Sequence, residues 1–332
     1  MKHLNIYERE KIALGIAQKL SRRQIAKRMH RHHTTIVREL NNNCKWPYKY
    51  SVYDAQNRAA DLKRKTKRTS KIEKCQQLRK YIFEKLKLKW SPEQISNTLK
   101  TEYKNMTHMQ ISHESIYTYI YLLPRGELRK ELISYLRQGA KGRQKRMRGY
   151  VSRQPRIPNI ISIKERPKEV ENRTIPGHWE SDLIIGKDKQ SALGTIVERT
   201  TRTVILVPLK SKTALEVRKS FAKELKTLPK QMVKTMTHDR GTEMSQHELF
   251  TQETKIQVYF ADPYSPWQRG TNENTNGLLR QYFPKGTDFK KVSRKEIKKV
   301  QHQLNERPRK TLNWLTPKET FAKLLGNGAI RV

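Results

Sequence analysis

His178-Trp179-Glu180-Ser181-Asp182-Leu183-Ile184-Ile185-Gly186 is the stretch on which the fold turns. Side chains on a strand alternate between its two faces, so Glu180 and Asp182 share one face and Leu183 and Ile185 the other. An acid in the middle of an apolar strand is costly to bury unless it is paired or bound to a metal. Read outward from here, strands are expected at Thr195–Arg199, Thr203–Pro208, Val233–His238 and Ile256–Ala261. Leu215–Leu225 has the spacing of an amphipathic helix, and Leu278–Tyr282 belongs to a helix that follows a loop. Three strands able to form a meander, then alternating helices and strands, predict a mixed α/β sheet with helices on its faces.

Two further segments carry acids. In Thr237-His238-Asp239-Arg240-Gly241-Thr242-Glu243, Asp239 falls where a strand gives way to a turn, the end of an α/β sheet at which ligands bind. Aspartate is also an ordinary turn residue. Glu243 would open the following helix, where an acid favours the dipole, and is read as structural or as a support behind the metal-binding acids, outside the triad. Pro263-Tyr264-Ser265-Pro266-Trp267-Gln268-Arg269-Gly270-Thr271-Asn272-Glu273-Asn274-Thr275-Asn276-Gly277 is rich in loop formers and amides, and Glu273 is its only acid. Two strand-borne aspartates and a helix-borne glutamate can converge on a pair of divalent cations. Mg²⁺ or Mn²⁺ takes such oxygen ligands, and two ions can clamp the attacking and leaving oxygens of a displacement at phosphorus. Asp182, Asp239 and Glu273 are thus the candidate catalytic and metal-binding residues. No covalent nucleophile is required.

The remainder of the chain looks built to meet nucleic acid. The whole chain has 332 residues, with 71 Lys and Arg against 31 Asp and Glu, a net charge of +40. A phosphate backbone is the usual partner for charge of this size. With 14 Tyr, 7 Phe and 5 Trp it is too aromatic for a disordered chain. Cys44 and Cys75 are not in a CxxC pair, which excludes a zinc ribbon. The start lacks the apolar core of a signal peptide, and no run approaches the roughly 18 apolar residues of a membrane span. A cytoplasmic, nucleoid-associated protein is expected. Ile6–Asn41 reads as three short helices. Ser21 caps the second, with Gln24 in the capping-box position, and Thr34 or Thr35 starts the third. This is a helix-turn-helix, whose last helix would present His33, Thr34, Thr35 and Arg38 to the major groove. A looser second unit spans Trp90–Leu122, with helix starts at Ser91-Pro92 and Ser112. Its Ser112, His113 and Ser115 are further candidate DNA contacts, as are Arg269 and Lys285. Gly139–Asn159 holds Lys141, Arg143, Lys145, Arg146, Arg148, Arg153 and Arg156 and no acid, and reads as a basic linker. Domains are therefore expected at 1–50, 51–138 and 160–332, joined through the linker at 139–159. Ser293–Asn305 and Pro317–Leu325, the latter capped by Thr316, read as closing helices, with Arg307 and Lys310 able to touch DNA.

The three acidic blocks resemble those of bacterial insertion-sequence transposases of the family numbered thirty. Thirty-three residues separate Asp239 from Glu273, which matches that family's spacing. Arg280, seven residues after Glu273, matches a basic position of related integrases and could hold DNA phosphate. Leu278-Leu279-Arg280-Gln281-Tyr282-Phe283-Pro284-Lys285-Gly286-Thr287 extends the likeness. So does Ser21-Arg22-Arg23-Gln24-Ile25-Ala26 followed by Thr35-Ile36-Val37-Arg38-Glu39-Leu40. Ser181 departs from the pattern, standing where a smaller residue, often glycine, is expected. The resemblance implies an all-α helix-turn-helix N-terminal region followed by an α/β, RNase H-like (retroviral integrase-like) core with an Asp-Asp-Glu triad. It implies two Mg²⁺ or Mn²⁺ ions, double-stranded DNA as partner at terminal inverted repeats and target sites, and strand transfer. Two ends to be joined favour a homodimer or a higher oligomer.

A DNA-binding regulator with an inactive core would share the charge and the helix-turn-helix but would not need all three acids. A nucleoid or ribosomal protein would explain the charge alone.

Overall fold

The computed structural model describes residues 4–43, 50–65, 70–137 and 157–326. They form two compact units, Met1–Lys74 and Cys75–Val332. Most of the basic linker lies outside the described residues, as does Cys44. Cys75 is a free thiol. No helix among the described residues is long and apolar enough to cross a membrane.

The first unit contains α1 (Ile6–Ala17), α2 (Arg22–Arg28), α3 (His33–Asn43), α4 (Val52–Lys65) and α5 (Lys71–Lys74). Ser21 accepts from the Gln24 N–H while the Gln24 side chain accepts from the Ser21 N–H, closing the expected capping box. Ile12, Ile25, Ala26, Ile36 and Leu40 make the core. The turn between α2 and α3 passes through His30 in the left-handed region, φ 50°. Helix α3 begins at His33, slightly earlier than Thr34 or Thr35, because the His32 ring takes the Thr34 N–H at 3.4 Å. Arg9, almost fully buried, pairs with Glu39 at 2.7 Å and ties α1 to α3.

In the second unit α6 (Gln76–Lys87), α7 (Pro92–Glu102), α8 (His113–Leu122) and α9 (Glu127–Tyr135) come first. Ser91 and Ser112 cap α7 and α8 as the sequence predicts. Ser96 Oγ donates to Ile111 O, holding the long connection between these two helices against α7. This helical region meets the C-terminal segment directly. Gln94 donates to Pro308 O, Lys310 pairs with Glu93, and Arg307 is fully buried with bonds to Gln94 and Gln281. Arg307 is thus a packing residue rather than an exposed DNA contact.

After α10 (Glu169–Asn172) come β1 (His178–Ile185), β2 (Ala192–Glu198), β3 (Val204–Leu209), α11 (Ala214–Leu225), β4 (Thr235–His238), α12 (His247–Thr254), β5 (Gln257–Phe260), α13 (Gly270–Leu279), α14 (Arg294–Asn305) and α15 (Pro317–Gly326). The strands make one sheet in the order β3-β2-β1-β4-β5. The predicted meander β1-β2-β3 is antiparallel, while β4 and β5 add in parallel. One face carries Trp179, Ile196, Ile205 and Met236 under α11 and α12. The other carries Ile184, Leu193, Val197 and Leu206 under α13 and α14. Gly194 leaves room for the Phe221 ring of α11, since a Cβ there would lie 2.3 Å from Phe221 Cε1.

The start of α13 differs from the sequence reading. The helix opens at Gly270, not after Gly277, so residues 270–277 are helical rather than loop. Two glycines and several amides disfavour a helix intrinsically. Burial of Thr271, Asn272 and Thr275 against the sheet overrides that preference.

Candidate active site

Glu180, Asp182 and Ile184 point to the face of the sheet that α13 covers. In the parallel pairing of β1 with β4, Glu180 stands opposite Thr237; continued by two residues, that register brings Asp182 beside Asp239. Asp239 is the first residue past β4. Its Oδ1 accepts from the Gly241 N–H at 3.2 Å, closing the turn. A Cβ at Gly241 would lie 2.4 Å from the Glu243 carboxylate oxygens, so the glycine lets that side chain fold back over the turn.

One cation joins the two aspartates. Arg269 Nη2 donates to Asp239 Oδ2 at 2.9 Å, and Arg269 Nη1 lies 3.6 Å from Asp182 Oδ1. The guanidinium is also anchored on Ser181 O at 3.0 Å. From α13, Asn276 Nδ2 donates to Asp182 Oδ2 at 2.8 Å. Glu273 is exposed, and among the described residues its carboxylate makes no hydrogen bond or ion pair. It lies four residues after Arg269 and three before Asn276, the two groups that reach the aspartates, and so shares their side of the helix. The structure brings Asp182 and Asp239 together and sets Glu273 on the adjoining helix face, without direct contact.

Behind the aspartates sits a group the sequence reading passed over. His238 is fully buried. Its Nδ1 is 2.8 Å from Ser181 Oγ; Nε2 is 3.4 Å from Asp239 Oδ1 and 3.6 Å from Glu243 Oε1. Ser181, the departure from the family pattern, thus supplies a hydroxyl that orients this ring. His238, Asp239 and Glu243 have their ligand atoms within 4.8 Å of one another, a spacing that could hold a metal ion. The signal was in the sequence, since His238 directly precedes Asp239.

Burial lifts the Asp182 carboxyl above the usual range, against the pull of Arg269. Burial would lift Asp239 as well, but His238 and then Arg269 outweigh it and hold the group below its ordinary value. For His238, burial works against the charged ring, yet the hydrogen bond and charge of Glu243 and the charge of Asp239 leave its pKa raised. Glu180 plays a different part. It is fully buried, 2.5 Å from Arg199, and accepts the Asn272 N–H at 2.8 Å. It therefore fixes the start of α13 and is not free to hold an ion.

His33 and Arg38 are exposed on α3, and the Thr34 hydroxyl bonds the His32 ring at 2.8 Å while Thr35 is half-buried. Ser112 and Ser115 are bonded to each other at the start of α8, and His113 is 3.2 Å from Glu114. Arg280 donates to Phe283 O, Pro284 O and Ile185 O. Lys285 is exposed.

A helix-turn-helix domain family matches residues 1–43, and an integrase core domain family matches residues 173–266. The transposase for insertion sequence element IS1086 of Cupriavidus metallidurans is 42% identical over 325 residues, spanning 98% of this chain and 96% of that protein. Transposase InsI for insertion sequence element IS30A of Escherichia coli K12 is 42% identical over 327 residues, spanning 97% of this chain and 84% of its own. The catalytic core domain of BIV integrase is 18% identical, with a TM-score of 0.36, covering 45% of this chain and 96% of that one. A helix-turn-helix in front of an integrase core, with full-length transposase relatives, defines a DNA transposase of the Asp-Asp-Glu polynucleotidyl transferase class, whose chemistry uses divalent metal. Specifically, the chain belongs to the IS30 family of insertion-sequence transposases.

Proposed function

We propose that Asp182, Asp239 and Glu273 together hold two Mg²⁺ or Mn²⁺ ions, and that this centre cuts DNA at the terminal inverted repeats of the chain's own element and joins the ends to target DNA. The observation that carries the reading is the meeting of two carboxylates on one cation, the Arg269 guanidinium. A pair of side chains that already shares a cation has the chemistry to share a divalent one. Bound metal would activate a water or a 3′-hydroxyl and stabilise the departing 3′-oxygen. The chain's own residues prepare the site for that. His238 and Arg269 favour the ionised form of Asp239. Asn276 fixes one Asp182 oxygen by donating to it, and the Leu183 N–H fixes the other. Glu273, exposed on the same side of α13, has free lone pairs to add.

Residues 1–50 would read the ends, with α3 in the major groove. Residues 51–138 would add a second DNA-binding unit through Ser112, His113 and Ser115. The 139–159 linker would track the backbone, and 160–332 would do the chemistry, with Arg269, Arg280 and Lys285 near the bound strand. Two ends in one reaction call for at least a homodimer, working on the bacterial nucleoid in the cytoplasm. A regulator with an inactive core is not favoured, since all three acids are present.

The test is Asp239→Ala on duplexes carrying the element's ends. Cleavage with Mg²⁺ or Mn²⁺ is expected to vanish while end binding in a gel shift persists. Nicking at the wild-type rate would overturn the triad assignment.

A further inference from the structure

On the flank of α13 turned away from Glu273 lies a cavity of about 310 Å³ with no acid in its wall. Three arginines line it: Arg173 just after α10, Arg202 in the β2–β3 turn, and Arg309 after α14. Thr271 and Thr275, one turn apart on α13, and Thr311 add hydroxyls. At 100° per residue, Thr271 and Thr275 face one way and Glu273 and Arg280 the other. The volume is at the small end of the range for ligand pockets, about 300–1,000 Å³, and suits a compact polar group.

No carboxylate among the described residues touches the positive charge here. Arg202 Nη1 donates to Thr271 Oγ1 at 2.7 Å, and Arg309 Nη2 donates to Leu304 O at 3.0 Å. These partners are a hydroxyl and a carbonyl, not carboxylates. Among the described residues no carboxylate forms an ion pair with Arg173, Arg202 or Arg309. The neighbouring acids are committed elsewhere. Glu180 is held by Arg199, and Glu198 accepts from the N–H groups of Gly177, Thr200 and Thr201. Burial, and then the charge of Arg307, push Arg309 down to about 9. Burial and then Arg173 lower Arg202. A guanidinium offers five N–H donors in a planar fork, so most donors in this pocket are available. Forked donors beside hydroxyls, in a cavity that favours negative charge, are the chemistry that recognises phosphate.

We propose that this pocket binds a phosphate group, supplied by the backbone of a DNA strand lying on the flank of the catalytic helix opposite the Asp-Asp-Glu side. DNA as the source rests on the proposed function, whereas the phosphate chemistry does not. The pocket would give the core a grip on DNA separate from the cleavage site.

The experiment uses the full chain and a random-sequence duplex, with Arg173→Gln, Arg202→Gln and the control Lys212→Gln. Lys212 is an exposed charge before α11, on the other face of the sheet. Each pocket variant is expected to weaken duplex binding and to reduce the slope of log affinity against log salt by about 1, while the control leaves the slope unchanged. Arg173 is exposed, so its variant remains informative even if Arg202→Gln folds poorly. In a second arm, thermal shift with inorganic phosphate or a nucleoside triphosphate distinguishes the sources. Stabilisation of the wild type that the pocket variants lose, with unchanged duplex slopes, would keep the phosphate site and overturn DNA as its source. Pocket variants that match the control in both arms would overturn the pocket. Asp239→Ala should retain wild-type slopes, so failure of the triad assignment shows in cleavage and failure of the pocket in the slopes.

Discussion

Arg269 Nη2 lies 2.9 Å from Asp239 Oδ2, and the same guanidinium reaches Asp182 at 3.6 Å. A single side chain neutralises both aspartates proposed to hold metal, so it competes with any divalent ion for them. Asp239 is partly exposed, and the Coulomb energy of the contact is screened to about 1 kcal/mol, or about fivefold in affinity. Arg269→Gln is therefore expected to lower the half-saturating concentration of Mn²⁺ or Ca²⁺ by about fivefold in a thermal-shift titration. Equal or weaker cation binding by the variant would remove Arg269 as a competitor.

Glu180 and Asp182 look equivalent in sequence, being two acids on one strand face, but their surroundings separate them. Glu180 is sealed against Arg199 and the start of α13. Removing one partner of a buried ion pair strands the other, at a cost of about 3–5 kcal/mol. Glu180→Gln should lose stability of that order in urea denaturation, yet still cleave DNA under conditions where it is folded. A variant of full stability and no activity would instead put Glu180 among the metal-binding groups.

This contrast marks where sequence stops being sufficient. β1 was readable because Leu183, Ile184 and Ile185 are strand formers and Gly186 ends them. The place of Asp239 was readable because a short strand, with β-branched Val233, Thr235 and Thr237, runs into a glycine turn. The partners of these acids were not, because each comes from far along the chain. Arg199 reaches Glu180 only through the β1–β2 pairing, and Arg269 reaches Asp239 only once α13 is seated. The early start of α13 was hidden for the same reason. Asn272 and Thr275 are poor helix formers, held helical by what they bury against. The meander β3-β2-β1 follows from consecutive strands, but nothing local encodes the placing of β4 beside β1, a parallel pairing between strands distant in sequence.

His178 at the head of β1 gives the fold a pH dependence of its own. Its Nδ1 bonds the Thr235 hydroxyl at 2.8 Å, and burial drives its pKa down to about 4. In the unfolded chain the ring titrates near its ordinary value of 6.5. Between those values the unfolded chain holds a proton that the folded chain refuses, so stability rises with pH. The contribution is complete above pH 6.5 and is lost as pH falls toward 4, amounting to about 3 kcal/mol. His178→Asn should flatten the unfolding free energy over that window by this amount relative to wild type. Parallel pH profiles for the two proteins would show that His178 titrates normally in the folded state.

Helix α3 turns Ile36 and Leu40 into the N-terminal core and Arg38 outward. Residue 38 is two positions from each, about 200° around the helix, on the side a recognition helix presents to DNA. The Arg9–Glu39 pair holds that presentation rigid. An arginine that reads guanine contributes about 1–3 kcal/mol of discrimination between right and wrong bases, whereas one on a phosphate contributes equally to every sequence. Arg38→Ala is therefore expected to weaken binding to the element's end by about 10- to 100-fold and binding to a scrambled duplex far less. The measurement is the ratio of the two affinities at one fixed salt concentration. An equal loss on both duplexes would assign Arg38 to the backbone and leave base reading to His33 and the threonines beside it.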